Sequence, residues 1–135
     1  MKYWLFPGNK NLFRIEDFVD EHGFIEWDPR KYKNKIQVGD IVYIYIGNPE
    51  KRICYKAVVE TINIPFNKWF NDRPYQIPPS NIWLDEHRIR LRIICSINSE
   101  YLHFQRLKEN GITTVNWISE LKNDSLIRYI EKYIG

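Results

Sequence analysis

Apolar and polar positions alternate most cleanly over residues 38–60, VGDIVYIYIGNPEKRICYKAVVE. Val42, Ile44 and Ile46 interleave with Ile41, Tyr43 and Tyr45, and that period of two puts successive side chains on opposite faces of a strand. Gly39-Asp40 supplies an entry turn, since glycine tolerates positive φ and aspartate bonds nearby backbone. Gly47-Asn48-Pro49 reverses the chain, and Ile53 to Glu60 returns it. The pattern predicts a hairpin with two unlike faces. Val42, Ile44 and Ile46 turn to the core, while Tyr43 and Tyr45, beside Trp27 just upstream, wall an aromatic slot. Flat, π-rich molecules such as nucleobases fit slots of that kind.

The same reading places the other elements. Tyr3 to Phe6 is a first strand stopped by Pro7-Gly8. Leu12, Ile15, Phe18, Val19 and His22 keep helical spacing, with Asn11 as the expected cap and Gly23 as the stop. Residues 61–83 hold four prolines and two tryptophans, Trp69 and Trp83, in a long irregular stretch of the sort that usually carries function. Arg88 to Ile97 is a strand with Ile89, Leu91, Ile93, Cys95 and Ile97 on one face and Arg90 and Arg92 on the other. Tyr101 to Asn110 is a short helix ended by Gly111, Thr113 to Ile118 a strand, and Asp124 caps a last helix with Leu126, Ile127, Ile130, Tyr133 and Ile134 as its apolar stripe. Five or six strands and two or three helices that do not strictly alternate predict an α+β fold, a small closed or nearly closed barrel with helices at its ends.

Composition narrows the class. At 135 residues, with no repeat and no linker, the expectation is a single domain spanning 1–135. The chain carries 5 Trp, 9 Tyr and 7 Phe, too many large rings for so small a core to hide them all. A net charge of +3 permits an acidic partner without demanding one. Cys54 and Cys95 each sit in an apolar strand, so we expect reduced, buried thiols and a cytoplasmic protein. The apolar run of MKYWLFPGNK is too short for a signal peptide, and no stretch approaches the roughly 18 apolar residues of a membrane span.

Catalytic and metal chemistry find little support. The triplets Asp20-Glu21-His22 and Asp85-Glu86-His87 place neighbours in divergent directions, whereas helical metal ligands recur at i and i+4. No P-loop, GxSxG or GxGxxG is present, and a Cys–His103 dyad would need a coincidence of the fold. We therefore expect no metal and no cofactor. The tryptophans are the better lead. Trp4 belongs to a strand, but Trp27 (EWDPRK) and Trp69 (FNKWFND) sit in polar, turn-rich surroundings that favour partial exposure. Facing rings can sandwich a base, at about 1–3 kcal/mol per stack. Arg30, Lys31, Lys33 and Lys35 follow Trp27 directly, and Arg90 and Arg92 share a strand face. Beside an aromatic slot such cations suit phosphate, which gives affinity without sequence information.

The order of these elements resembles a known family. YWL on the first strand, a short helix, Gly23 with Trp27, Gly39-Asp40 opening a strand that ends near Tyr45, KAVVE on the return strand and Arg88 to Ile97 after a long loop are similar to the EVE domain. That family is a PUA-like barrel related to the YTH and SRA-type base readers. The likeness spans nearly the whole chain and rests on the order of short motifs. It departs at DPRK after Trp27, where a shorter neutral turn is usual, and at Ala57, where glycine is common.

The resemblance implies a PUA-like small mixed β-barrel with flanking short helices. It also implies a non-catalytic module that binds a modified or flipped base in DNA or RNA. On that footing Trp27 and Trp69 stack on the base, Tyr45 and Trp117 wall the pocket, Asn9 and Ser119 bond its edge, and Arg30, Lys31, Lys33, Lys35, Arg90 and Arg92 hold phosphate. Two rivals stand beside it. One is an ASCH-type enzyme acting on a small nucleoside or amide, which requires a paired Lys and Glu that we do not expect after the first strand. The other is a protein-interaction module, marked by an exposed apolar patch in place of a concave slot.

Overall fold

The computed structural model describes residues 1–77 and 87–134. Its elements run β1 (Tyr3–Gly8), α1 (Ile15–His22), β2 (Phe24–Trp27), β3 (Ile41–Ile46), β4 (Arg52–Ile64), β5 (Arg88–Ser96), α2 (Phe104–Glu109), β6 (Ser119–Leu121) and α3 (Asp124–Lys132). The strands form one sheet in the order β2-β5-β4-β3-β1-β6. β1 runs parallel to β3, and the remaining pairs are antiparallel. The sheet curls into a half-barrel. Among the described residues the two edge strands, β2 and β6, do not pair, so the sheet stays open between them. The α+β class holds.

Two apolar clusters pack on the two faces of this sheet. Trp4, Phe6, Val42, Ile44 and Ile46 fill the concave face with Ile15, Phe18 and Val19 of α1. Leu5, Tyr43, Tyr45 and Ile53 fill the convex face with Leu107 of α2 and Leu126 and Ile130 of α3. The hairpin register is the predicted one, since Val42, Ile44 and Ile46 point to the concave core. The aromatic face, however, walls no slot. Tyr43 and Tyr45 are 0% and 4% exposed beneath the two C-terminal helices. The Tyr43 hydroxyl donates to Glu131 at 2.6 Å, and Lys56 Nζ reaches the same carboxylate at 2.7 Å. Burial and that hydrogen bond both push the Tyr43 phenol well above its ordinary range.

Local corrections have local causes. α1 begins at Ile15 because residues 9–13 fold as a turn first. The Asn9 carbonyl accepts from Leu12 and Phe13 N–H, and its side chain accepts from Asn11 N–H at 2.9 Å. Gly23 stops the helix at φ 73°, its N–H closing onto the Val19 carbonyl. Asn123, rather than Asp124, caps α3 by accepting from Leu126 N–H at 3.2 Å. Thr113 to Ile118 is irregular, and the strand starts only at Ser119, where pairing with β1 begins. The inward row of β5 changes face through a bulge at Ile94, so Ile93 packs on the concave cluster and Cys95 and Ile97 on the convex one. Cys54 is buried as expected, whereas Cys95 is half-exposed. Among the described residues no helix is long and apolar enough to cross a membrane. Trp83 and Asp85-Glu86 lie outside the described residues.

Candidate functional site

The half-barrel is open where the end of β1 faces β2. A cleft of about 360 Å³ lies there, walled by Pro7 and Gly8 on one side and by Ile25, Glu26 and Trp27 on the other. Gly8 makes the approach possible. A Cβ at that position would overlap Ile15 Cδ1 and stand 3.3 Å from Trp27 Cη2. Trp27 is half-buried, with one edge against Phe6 at a ring separation of 5.6 Å and another surface on the cleft. Its position follows from strand pairing. Trp27 lies opposite Ile89 and Ile25 opposite Leu91, so both face the concave side at the rim of the sheet.

Charged groups make the floor. Glu26 lies opposite Arg90 in the β2–β5 register. Its side chain is 1% exposed, accepting from Arg90 Nη2 at 2.7 Å and from Phe70 N–H at 2.8 Å. Arg88 Nη1 is 2.8 Å from Asp72 and 3.7 Å from Glu26, and its guanidinium lies 4.0 Å from the Trp69 ring centroid. Gln76 Nε2 donates to Asp72 at 3.0 Å. Asp72, Gln76 and Arg88 line the cleft together with Glu26. Paired in this way, the buried carboxylates stay compensated and the floor is rigid.

The structure sorts the expected site residues into three groups. Asn9, Trp27 and Arg30 line the cleft. Asn9 spends its side-chain oxygen on the turn, which leaves its amide N–H₂ as the group for a ligand. Arg30 sits at φ 55° two residues after Asp28, whose carboxylate takes its backbone N–H at 2.8 Å and stands 3.5 Å from its Nε, and the Arg30 side chain is 71% exposed. A second group stands near. Trp69 lies against Arg88 with its indole N–H bonded to the Ile64 carbonyl at 2.8 Å, and does not line the cleft. Because β6 runs antiparallel to β1 with Ser119 opposite Leu5, the segment before it leads toward the Pro7–Gly8 end, and Trp117 on that segment is 64% exposed.

The third group is elsewhere. Tyr45 belongs to the convex core, and burial raises its phenol pKa. Arg90 is engaged by Glu26 and lies over Phe24. Lys31 and Lys35 lie over the Tyr32 ring, which packs on Trp4 at the far end of β1, so the basic run leads away from the cleft after Arg30. Lys33 and Arg92 are exposed outside the cleft lining. Glu26, Asp72, Gln76 and Arg88 were not singled out from sequence. Asp72 and Gln76 do fall in the long irregular region flagged there, but the Glu26–Arg90 pairing becomes visible only once the strand register is known.

A lysine–glutamate pair does follow the first strand, contrary to expectation. Lys10, in Gly8-Asn9-Lys10, lies 2.6 Å from Glu16 and 2.8 Å from Glu50. Glu16 first and Glu50 second hold the Lys10 ammonium charged far above its ordinary range, and Lys10 in turn lowers the Glu50 carboxyl. Neither Lys10 nor Glu50 lines the cleft. Among the described residues no three His, Cys, Asp or Glu side chains gather as a metal site would require.

No protein-family model matches the sequence, and no curated protein matches it significantly. Solved structures do match over nearly the full length. The human THYN1 protein, in complex with 5-methylcytosine-containing DNA, superposes with a TM-score of 0.69 at 14% identity, covering 100% of this chain and 99% of that one. Protein Atu2648 from Agrobacterium tumefaciens gives 0.65 at 15% identity, with 98% and 92% covered. ASCH from Zymomonas mobilis gives 0.63 at 12% identity, with 99% and 96% covered. The six-stranded half-barrel with its three short helices thus shares the small α+β, PUA-like fold of these proteins.

Proposed function

We propose that this protein is a non-catalytic reader that binds a modified or flipped nucleobase of DNA or RNA in the cleft between β1 and β2. The observation that carries the reading is the cleft itself. About 360 Å³ is at the small end of ligand pockets, and one wall is a half-buried tryptophan facing glycine-lined backbone above a rigid polar floor. In this reading Trp27 stacks on the base and the Asn9 amide addresses its edge, above a floor in which Glu26 and Asp72 are held by their own partners. Arg30 at the rim meets phosphate, and Trp117 is the second ring, supported by its exposure and by the direction of β6. Trp69 and Arg90 support the floor from beneath. The complex of human THYN1 with 5-methylcytosine-containing DNA lends the same fold a precedent for such a ligand.

The ASCH-like alternative rests on Lys10 and Glu50. A lysine acting as base or nucleophile needs its pKa lowered toward neutrality, and here two carboxylates raise it, outside the cleft. Lys10 reads as an ion bridge that ties Glu16 of α1 to Glu50 of the β3–β4 turn. The test is a titration against oligonucleotides that carry single modified bases, beside their plain counterparts, as single strands and duplexes. Tighter binding of one modified form, lost in Trp27→Ala, supports the reading. Equal binding of modified and plain strands, or hydrolysis of a modified nucleoside, opposes it.

A further inference from the structure

The residue with the most unexpected surroundings at the cleft is Leu12. Single exposed aliphatic side chains are ordinary on protein surfaces, but three features coincide here. Leu12 is 61% exposed on the rim of the same cleft. It has an aliphatic neighbour in Ile77, 41% exposed, whose N–H donates to the Leu12 carbonyl at 2.8 Å. And its backbone is fixed rather than loose. Leu12 and Phe13 donate to the Asn9 carbonyl at 3.0 and 3.2 Å, Arg14 N–H donates to Tyr75 at 2.8 Å, and the Phe13 ring anchors the turn beside Phe18 and Tyr75. A rigid turn therefore presents a solvent-facing aliphatic knob at the mouth of a base-sized pocket.

Cations flank the knob. Arg30 lines the same cleft with a 71% exposed side chain. Arg14, two residues beyond Leu12, is 46% exposed and is held by the Pro74 carbonyl at 2.9 Å and by Asp17 at 3.3 Å. Duplex nucleic acid has the matching chemistry. Extruding one base breaks two stacking contacts and leaves an apolar gap, and proteins that distort a duplex insert apolar side chains between base steps while cations hold the phosphates.

We infer that Leu12, braced by Ile77, is a wedge that enters the base stack of a duplex and fills the space left by the base taken into the cleft. The inference rests on the reader function proposed above and adds its preferred substrate form, a double strand opened locally by the protein. A single strand has no gap to fill, so the wedge is needed only for the duplex.

The experiment compares wild type, Leu12→Ala and Trp27→Ala. The probe is an oligonucleotide with one 5-methylcytosine, used as a single strand and as a duplex with 2-aminopurine beside the target position. Leu12→Ala should fold normally, since an exposed side chain is shortened, and a melting curve verifies it. It should bind the duplex about tenfold more weakly, with a smaller 2-aminopurine rise, yet bind the single strand within about twofold of wild type. Trp27→Ala should lose both forms alike. Leu12→Ala binding that matches wild type on both forms, or weakens equally on both, overturns the wedge and leaves the reader intact. Wild type that binds only the single strand also overturns it. Wild type that binds neither form overturns the wedge on this substrate, while the reader function itself is decided by the titration against the other modified bases.

Discussion

The two faces of β3 carry the same alternation and end in different roles. Val42, Ile44 and Ile46 line the concave core, whose open rim becomes the cleft, while Tyr43 and Tyr45 lie sealed under α2 and α3. On sequence the aromatic face is the more promising of the two, because rings on a strand beside a tryptophan suggest stacking. The structure makes that face a helix-docking surface. An aromatic-rich strand marks a ligand wall only if nothing else in the chain needs that face, and here two amphipathic helices do. The candidate site arises instead where β1 outruns its pairing with β6 and leaves Pro7 and Gly8 facing β2.

If the two faces differ in this way, substitutions on them should separate stability from binding. The largest effects should be thermodynamic. Glu26→Ala strips the partner from Arg88, Arg90 and the Phe70 N–H, and should lower unfolding free energy by about 3–5 kcal/mol, read by denaturant titration. Tyr45→Ala should cost a similar amount, about 3–5 kcal/mol, through the cavity it leaves. The fraction of Tyr45→Ala that remains folded should bind oligonucleotide like wild type. A selective loss of modified-base affinity in that fraction would return Tyr45 to the site.

Trp27→Ala should do the reverse, keeping its fold and losing about tenfold to a hundredfold in affinity for the preferred modified strand. Unfolding of this variant at ambient temperature would make Trp27 a core residue. Arg30→Ala should weaken modified and plain strands alike and reduce the salt slope by about one counterion, measured at two ionic strengths.

The smallest effect concerns the Lys10–Glu50 pair. The Glu50 carboxyl is lowered in the folded state, chiefly by the hydrogen bond from Lys10, so its contribution is present above the ordinary carboxyl value of 4.5 and fades as pH falls through the lower folded value. Lys10→Met should therefore cost under about 1 kcal/mol near neutral pH, because the pair is partly exposed, and the gap from wild type should close on acidification. A gap that widens in acid would contradict the ion-bridge reading.

How far the residues alone reach is visible at particular positions. The register of Val42, Ile44 and Ile46 follows from local alternation, and Gly23 from the geometry a helix end requires. Asn9, Trp27 and Arg30 were named from local polarity and from a family likeness, and they meet at one cleft. Tyr45 reads from sequence as a pocket wall and lies in the convex core instead, because which face of a strand is covered depends on Leu107, Leu126 and Ile130, far along the chain. Arg90 looked like a free cation because its partner, Glu26, is 64 residues distant. Thr113 to Ile118 has strand propensity, yet pairing with β1 begins only at Ser119, opposite Leu5, and Phe6 to Gly8 stay unpaired on that side.

The central claim is that Trp27, at the mouth of the concave core, is the ring that meets the base. The most direct measurement follows the five tryptophan indole N–H signals by nuclear magnetic resonance, assigned by single Trp→Phe substitutions, during titration with a modified-base oligonucleotide. The Trp27 signal should shift furthest and saturate with the binding curve, while that of Trp4, buried with its indole N–H bonded to Asp40 at 3.0 Å, should stay in place. A Trp27 signal that does not move at saturation would contradict the account.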